Sequence, residues 1–348
     1  MKNKMMRRMV SMLAAGVMLL SVPVHAEEYS NTVLSELTNL PISAELQNQR
    51  PVAIVVDNES IALNHYGTNQ ADIVYELMNS TKNDRITRLM AIVKDWKNLK
   101  MFGSIRSARP TNFMLAAEYN AIIVHDGGPF YINDYLERDY TNSLSGGFAR
   151  VPNGKATEFT EYVTSDTYVN RETGVSYPGL AARIQEKNYS VTYNEHFQGN
   201  HFLFGEDPLS GYYDAVSAQK VSLPFYHNGS ELVYNAETAT YDYYEYGTPH
   251  VDALDGTCTS FKNVIIQNCD FTEQDENGYM IYNLTDSTVH NGYYLKDGYM
   301  IPITWNKYSE NGITDFYNGL TGEDLMLASG KTYIALVPSD TWSDVVIG

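Results

Sequence analysis

The sequence predicts a mixed α/β fold in two parts: an N-terminal α/β domain on a mixed sheet, followed by a C-terminal domain that is mainly β. Three observations lead there. Short, unbroken apolar runs such as Pro51-Val-Ala-Ile-Val-Val-Asp57 mark strands covered on both faces. Helical segments fall between strands only in the first half. After about residue 190, short strand-like segments alternate with turn signals: His-Asn-Gly-Ser at 227, Asp-Gly at 255 and 297, Glu-Asn-Gly at 276 and 310, and Ser-Gly at 329.

Taken in order, residues 1–26 read as a cleaved secretory signal. Lys2, Lys4, Arg7 and Arg8 precede the apolar stretch Met9 to Leu20, and Val24-His25-Ala26 offers small residues where a signal peptidase reads. Residues 27–49, rich in Asn, Glu, Ser and Thr, read as a linker. The α/β domain then spans 50–195. Its first strand, Pro51 to Asp57, belongs at the centre of a sheet. Asp72 to Met78, Ile86 to Val93 and Met101 to Ile105 are joined by links too short for crossover helices and predict an antiparallel meander. Pro110 stands where a helix starts, before Phe113, Met114, Ala116 and Ala117. Ala121 to His125 is a further strand, closed by Gly127-Gly128-Pro129. Helical segments at Tyr131 to Arg138 and Gly179 to Lys187 complete the domain. The mainly β domain, 196–348, ends with a strand at Thr332 to Val337. Within it, the Tyr-rich stretch Tyr234 to Tyr246 reads as plain strand, with an aromatic sugar platform as the lesser reading.

Charge narrows the function. Asp and Glu number 42 against 24 Lys and Arg, a net charge of −18; removing the signal leaves 20 basic residues and −22. Such a surface does not favour nucleic acid or an anionic membrane. No span-length apolar run remains after signal cleavage. The signatures of zinc proteases, α/β-hydrolases, P-loops, Cys-x-x-Cys sites and dinucleotide folds are all absent, so neither a cofactor nor a metal is expected. The eight His are scattered without ligand spacing. Cys258 and Cys269 flank an extended segment whose ends lie roughly 26 Å apart, too far for a disulfide, and read as free thiols.

One feature stands out. Of nine Arg in the mature chain, Arg85, Arg88, Arg106 and Arg109 fall within 25 residues. In a meander, the start of the Ile86 strand lies beside the end of the Met101–Ile105 strand, so all four gather at one sheet end. Arg109-Pro110 also opens a helix, where free N–H groups favour an anion. Asp57, Asn58, His125, Asp126, Gly127 and Gly128 end neighbouring strands and reach the same rim if those strands run parallel to Met101–Ile105. Ligands of open α/β sheets bind at such crevices. Glu76, near the same strand end, is read as a partner of Arg88. The competing reading is an internal ion-pair network in which Glu76, Asp84, Glu118 and Asp126 neutralise the Arg.

At these residues the chain resembles the YerB-like family of bacterial envelope lipoproteins, whose function is uncharacterised. The resemblance is carried by Arg50-Pro-Val-Ala-Ile-Val-Val-Asp-Asn58, Gln70-Ala-Asp-Ile-Val-Tyr-Glu76, Ile86-Thr-Arg-Leu-Met-Ala91, Gly103-Ser-Ile-Arg-Ser-Ala-Arg-Pro110 and Val124-His-Asp-Gly-Gly128. It resumes at Tyr246-Gly-Thr-Pro-His-Val-Asp252, Asn263-Val-Ile-Ile-Gln267, Ile303-Thr-Trp-Asn-Lys307 and Ser329-Gly-Lys-Thr-Tyr-Ile334. It implies a two-domain envelope protein and brings no reaction. The chain departs from the family in lacking a lipid-bearing Cys, and in having Thr160-Glu161 where a His-Asn pair is expected. A more distant stretch is similar to the LytR-CpsA-Psr envelope enzymes, in which Arg residues hold a pyrophosphate. In this chain Arg88 is followed by Leu-Met-Ala rather than by the acidic residue of that family.

These observations favour a secreted or envelope-associated binding or accessory protein. Its expected partner is an anionic small molecule, phosphate-bearing or carboxylate, or a cell-wall precursor, held by the Arg rim; an envelope protein is a further possible partner. The alternatives are an enzyme acting on a polyprenyl-pyrophosphate-linked precursor, and an interaction module whose Arg are internally paired.

Overall fold

The computed structural model describes residues 31–286 and 288–348, so the signal and the first residues of the linker lie outside the described part. In chain order, the first half supplies β1 (Val52–Asp57), β2 (Ile73–Met78), β3 (Thr87–Val93), α1 (Pro110–Glu118), β4 (Ile122–His125), α2 (Asn133–Leu136), β5 (Asn142–Ser145) and α3 (Leu180–Glu186). The second supplies β6 (Val216–Ser217), β7 (Lys220–Ser222), β8 (Glu231–Asn235), β9 (Thr240–Glu245), β10 (Asn263–Cys269), β11 (His290–Lys296), β12 (Tyr299–Lys307), β13 (Thr314–Asn318) and β14 (Thr332–Pro338).

Strands from both halves form one 11-stranded mixed sheet, ordered β6-β12-β11-β10-β14-β2-β3-β1-β4-β5, with β13 on β12. The seam is β14 against β2, parallel, with Thr332 opposite Ile73 and Leu336 opposite Leu77. Both strands are buried along their whole length. The last predicted strand of the β part thus completes the sheet of the α/β part.

Helices and a second sheet cover the faces, which explains the unbroken apolar runs. On one side α1 and the 271–282 hairpin pack on Ala53, Val55, Tyr75, Leu77, Met90, Ile334 and Leu336. On the other, β7, β8, β9 and α3 pack on Val52, Ile54, Val56, Val74, Leu89, Tyr333 and Ala335. Alternation along β14 sends Tyr333, Ala335 and Val337 to one core and Ile334 and Leu336 to the other. In the second sheet, Tyr241 and Tyr243 point inward and their neighbours are partly exposed, as the plain strand reading of the Tyr-rich stretch requires. The Asp-Gly signal at 297 is the two-residue turn between β11 and β12, with Asp297 at φ 52° and Gly298 at φ 76°.

Two expectations need correction. Met101–Ile105 is not the third strand of a meander: β3 lies between β2 and β1, and Phe102–Gly103 instead pairs with Glu161–Val163 in a small separate sheet. β1 is apolar on both faces and takes the buried place beside β3. The linker is also shorter than expected, because residues 33–49 are docked. Leu37 is in the core, Glu36 pairs with Lys94 at 2.5 Å, and the Gly330 amide donates to the Thr38 carbonyl at 2.7 Å. Cys258 and Cys269 are free thiols, the first partly and the second fully buried. Among the described residues no helix is long and apolar enough to cross a membrane.

Candidate functional site

At the end of β1 the chain sends consecutive polar side chains to opposite faces. Asp57 lies directly across from Arg88 on β3, so the two share a face, with Arg88 Nη1 3.3 Å from Asp57 Oδ1. The segment after residue 103 is laid against this strand end: the Asp57 amide donates to the Ser104 carbonyl and the Arg106 amide to the Val55 carbonyl, both at 3.0 Å. That places Arg106 Nε 2.5 Å from Asp57 Oδ2 and its Nη1 2.9 Å from Glu158, over the ring of Phe159. Burial pulls the Arg106 pKa down, but Asp57, Glu158 and Glu59 more than offset it and the net shift is upward. For Arg88 burial prevails over Asp57, and its pKa falls.

Arg109 follows at the start of α1. Its amide donates to Asn112 Oδ1 at 2.8 Å, closing the first turn. Its side chain is 7% exposed and has no carboxylate ion pair among the described residues. Nη1 donates to the Ala108 carbonyl at 3.0 Å, Nε donates to nothing, and the guanidinium lies 4.4 Å over the Tyr279 ring. Burial, then the positive charges of Arg88 and Arg106, lower its pKa to about 10. The positive end of the helix dipole adds to this repulsion.

The other expected site residues divide. Arg85 is not in the cluster: Asn83, Asp84 and Arg85 all take left-handed φ of 52–62°, and this turn swings Arg85 out to a bidentate pair with Asp340 at 2.8 and 2.5 Å. Glu76 is not a partner of Arg88 either. In the β2–β3 register Arg88 faces Leu77 while Glu76 faces Leu89, so Glu76 and Arg88 lie on opposite faces of the sheet. There Glu76 accepts from Thr87 (3.0 Å), Asn228 (2.7 Å), Ser230 (2.7 Å), Tyr243 (3.0 Å), Tyr333 and, more weakly, Asn58 (3.3 Å). Burial still raises its pKa. Asn58 belongs to that second cluster and also donates to Thr87 Oγ1.

His125 has both ring nitrogens engaged, Nδ1 with the Gly127 carbonyl at 2.7 Å and Nε2 with Ser143 at 2.9 Å, and burial keeps it neutral by lowering its pKa. Gly127, at φ 69°, accepts the Ala108 amide and donates to Ser145. A Cβ on Gly128 would lie 2.8 Å from the Ala108 carbonyl, so this pair holds the 106–109 segment against β4. Asp126 meets Arg150, which the sequence reading missed. Arg150 Nη2 sits 2.8 Å from Glu161 and 3.4 Å from Asp126. Burial, with Asp126 beside it, pushes the Glu161 carboxyl up to about 7. Tyr279 was missed as well, because it comes from the distant 271–282 hairpin.

Comparison with known proteins agrees with the layout. Residues 37–189 match the N-terminal domain, and residues 221–334 the C-terminal domain, described as protein of unknown function DUF3048. YerB of Bacillus subtilis (strain 168), a candidate lipoprotein by name, is 34% identical over 111 residues, 31% of this chain; the aligned stretch spans 32% of YerB's own length. The crystal structure of YerB from Bacillus subtilis superposes with a TM-score of 0.72 over 91% of this chain and 99% of YerB's crystallised chain, at 22% identity, which establishes a shared fold. With both domains matched in order and the fold in common, the chain belongs to the YerB-like family of DUF3048 proteins.

Proposed function

We propose that this chain is an exported, envelope-associated binding protein that holds an anionic group, phosphate or carboxylate, at Arg109 and Arg88 beside the start of α1. The observation that carries this is Arg109. A guanidinium cannot shed its proton in a protein, yet this one is buried, has no carboxylate ion pair among the described residues, lies near two other Arg and caps the wrong end of a helix for a cation. An anion between Arg88 and Arg109 would answer each of these: both Nε donors are without acceptors, and charge-assisted hydrogen bonds contribute about 1.5–3 kcal/mol each. Arg85 and Arg106 are paired internally, and Arg88 has Asp57 at 3.3 Å, so Arg109 is the member of the four without a carboxylate ion pair among the described residues. Export rests on the N-terminal sequence and on the name of the relative. Differential scanning fluorimetry tests the binding: pyrophosphate should raise the Tm of wild type and not that of Arg109→Gln. Equal shifts in both proteins would remove Arg109 from the site.

A further inference from the structure

On the sheet face opposite the Arg cluster, three more buried groups converge. His65, in the loop after β1, is 0% exposed, as is Glu245 at the end of β9, and His250 just beyond is 3% exposed. Each offers one ligand atom, and these atoms lie within 4.8 Å of one another. His250 Nδ1 is 2.6 Å from Glu245 Oε1, which leaves its Nε2 without a hydrogen bond. Neither nitrogen of His65 makes one: the Asp57 carbonyl is close enough to favour its proton but is not in hydrogen-bond geometry. A buried imidazole with two idle nitrogens is costly, since each polar group left unpaired forfeits about 1–3 kcal/mol.

Charge points the same way. Tyr243 OH lies 3.0 Å from Glu76 and 3.5 Å from Glu245, so two fully buried carboxylates share one hydroxyl. Among the described residues neither has a Lys or Arg ion pair; Glu245 has only His250. The loop that carries His65 is pinned to the 246–259 segment by many bonds. The Ala253 amide donates to the His65 carbonyl at 2.8 Å, and Asp252 accepts the Gly67 and Asn69 amides at 2.9 and 2.8 Å. Such outer bonds fix the orientation of a ligand before a metal arrives.

We propose that His65, Glu245 and His250 form a Zn2+ site that clamps the N-terminal family domain to the C-terminal one. Two imidazoles and a carboxylate are a zinc donor set that leaves a fourth position for water. Tetrahedral bonds of 2.0–2.1 Å put ligand atoms roughly 3.4 Å apart, so small side-chain movements close the site. No local spacing could reveal it, because His65 and His250 are 185 residues apart.

The test uses the full mature chain, stripped with EDTA and titrated with Zn2+ against a chromophoric chelator. One equivalent should bind and raise the Tm, and His65→Ala should weaken binding at least 100-fold. That variant removes no hydrogen bond of the ring, so circular dichroism should show it folded. X-ray absorption of the wild-type zinc complex is a second, variant-independent arm and should show a nitrogen/oxygen shell with two imidazoles. Failure to take up one equivalent, unchanged affinity in His65→Ala, or sulfur from Cys258 in the shell would each overturn the proposal.

Discussion

Replacing Arg109 with Met should stabilise the protein, because the fold holds this guanidinium charged against its surroundings. Its pKa falls from the ordinary arginine value to about 10, through burial first and then through Arg88 and Arg106. A shift of that size corresponds to roughly 3 kcal/mol at about 1.36 kcal/mol per unit. The sign follows from linkage: a base whose folded pKa lies below its unfolded value weakens the fold at every pH below the folded pKa, so the cost is fully present at pH 7. Opposing it are the hydrogen bond to Ala108 and the contact with Tyr279, each about 1 kcal/mol. Met is unbranched, and keeps apolar contact with the Tyr279 ring. Urea unfolding at pH 7 should therefore show a net gain of about 1 kcal/mol with an unchanged m-value. Arg106→Met is the contrast: it takes from the fully buried Asp57 its closer cation, leaving Arg88 at 3.3 Å, and should lose up to about 3 kcal/mol. If Arg109→Met instead lost as much as Arg106→Met, Arg109 would be a structural residue, and the reasoning that assigns it to a ligand would be wrong.

Three further outcomes follow from the fold. Burial would raise Glu118, but Lys307 at 3.0 Å and His201 outweigh it and hold the carboxyl at about 2. This stability is present above the ordinary value near 4.5 and is lost as pH falls toward 2, and Lys307→Met should weaken that acid dependence, with His201 still in place, while costing about 3–5 kcal/mol at pH 7; an unchanged acid limb in the variant would contradict the pairing. Because β14 joins both family domains in one sheet, calorimetry should give a single transition, and Ile334→Ala should lower it as a whole by about 2–4 kcal/mol; two separate transitions would contradict it. Iodoacetamide should label both Cys258 and Cys269 in denatured, unreduced protein, but Cys269 hardly at all in the native state, where burial pushes its thiol pKa up.

Much of the architecture was legible because its signals are local. Pro51 to Asp57 reads as a central strand from composition alone, Pro110 marks α1, and Asp297-Gly298 specifies a hairpin. Strand order was not, because loop length does not say which neighbour a strand takes: β1, not Met101–Ile105, flanks β3. The same limit governed the site. Arg88 and Arg106 both meet Asp57, and Arg109 lies near enough for both to act on it, yet Glu76 was placed beside Arg88 by sequence position, when register puts it on the other face. Arg85 was lost to a left-handed turn whose residues carry no glycine to announce it. Tyr279 and the His65–His250 pair are brought in from distant parts of the chain, and Arg150 meets Asp126 and Glu161 only once the first half is folded.

The central claim, that Arg109 awaits an anion, is tested most directly by isothermal titration of pyrophosphate, and then citrate, into wild type, Arg109→Met and Arg85→Met at fixed ionic strength. The account predicts one site in wild type for at least one of the two anions and unchanged binding in Arg85→Met. In Arg109→Met it predicts at least a 100-fold loss, the equivalent of about 2.7 kcal/mol. No binding of either anion to wild type, or undiminished binding to Arg109→Met, would contradict it.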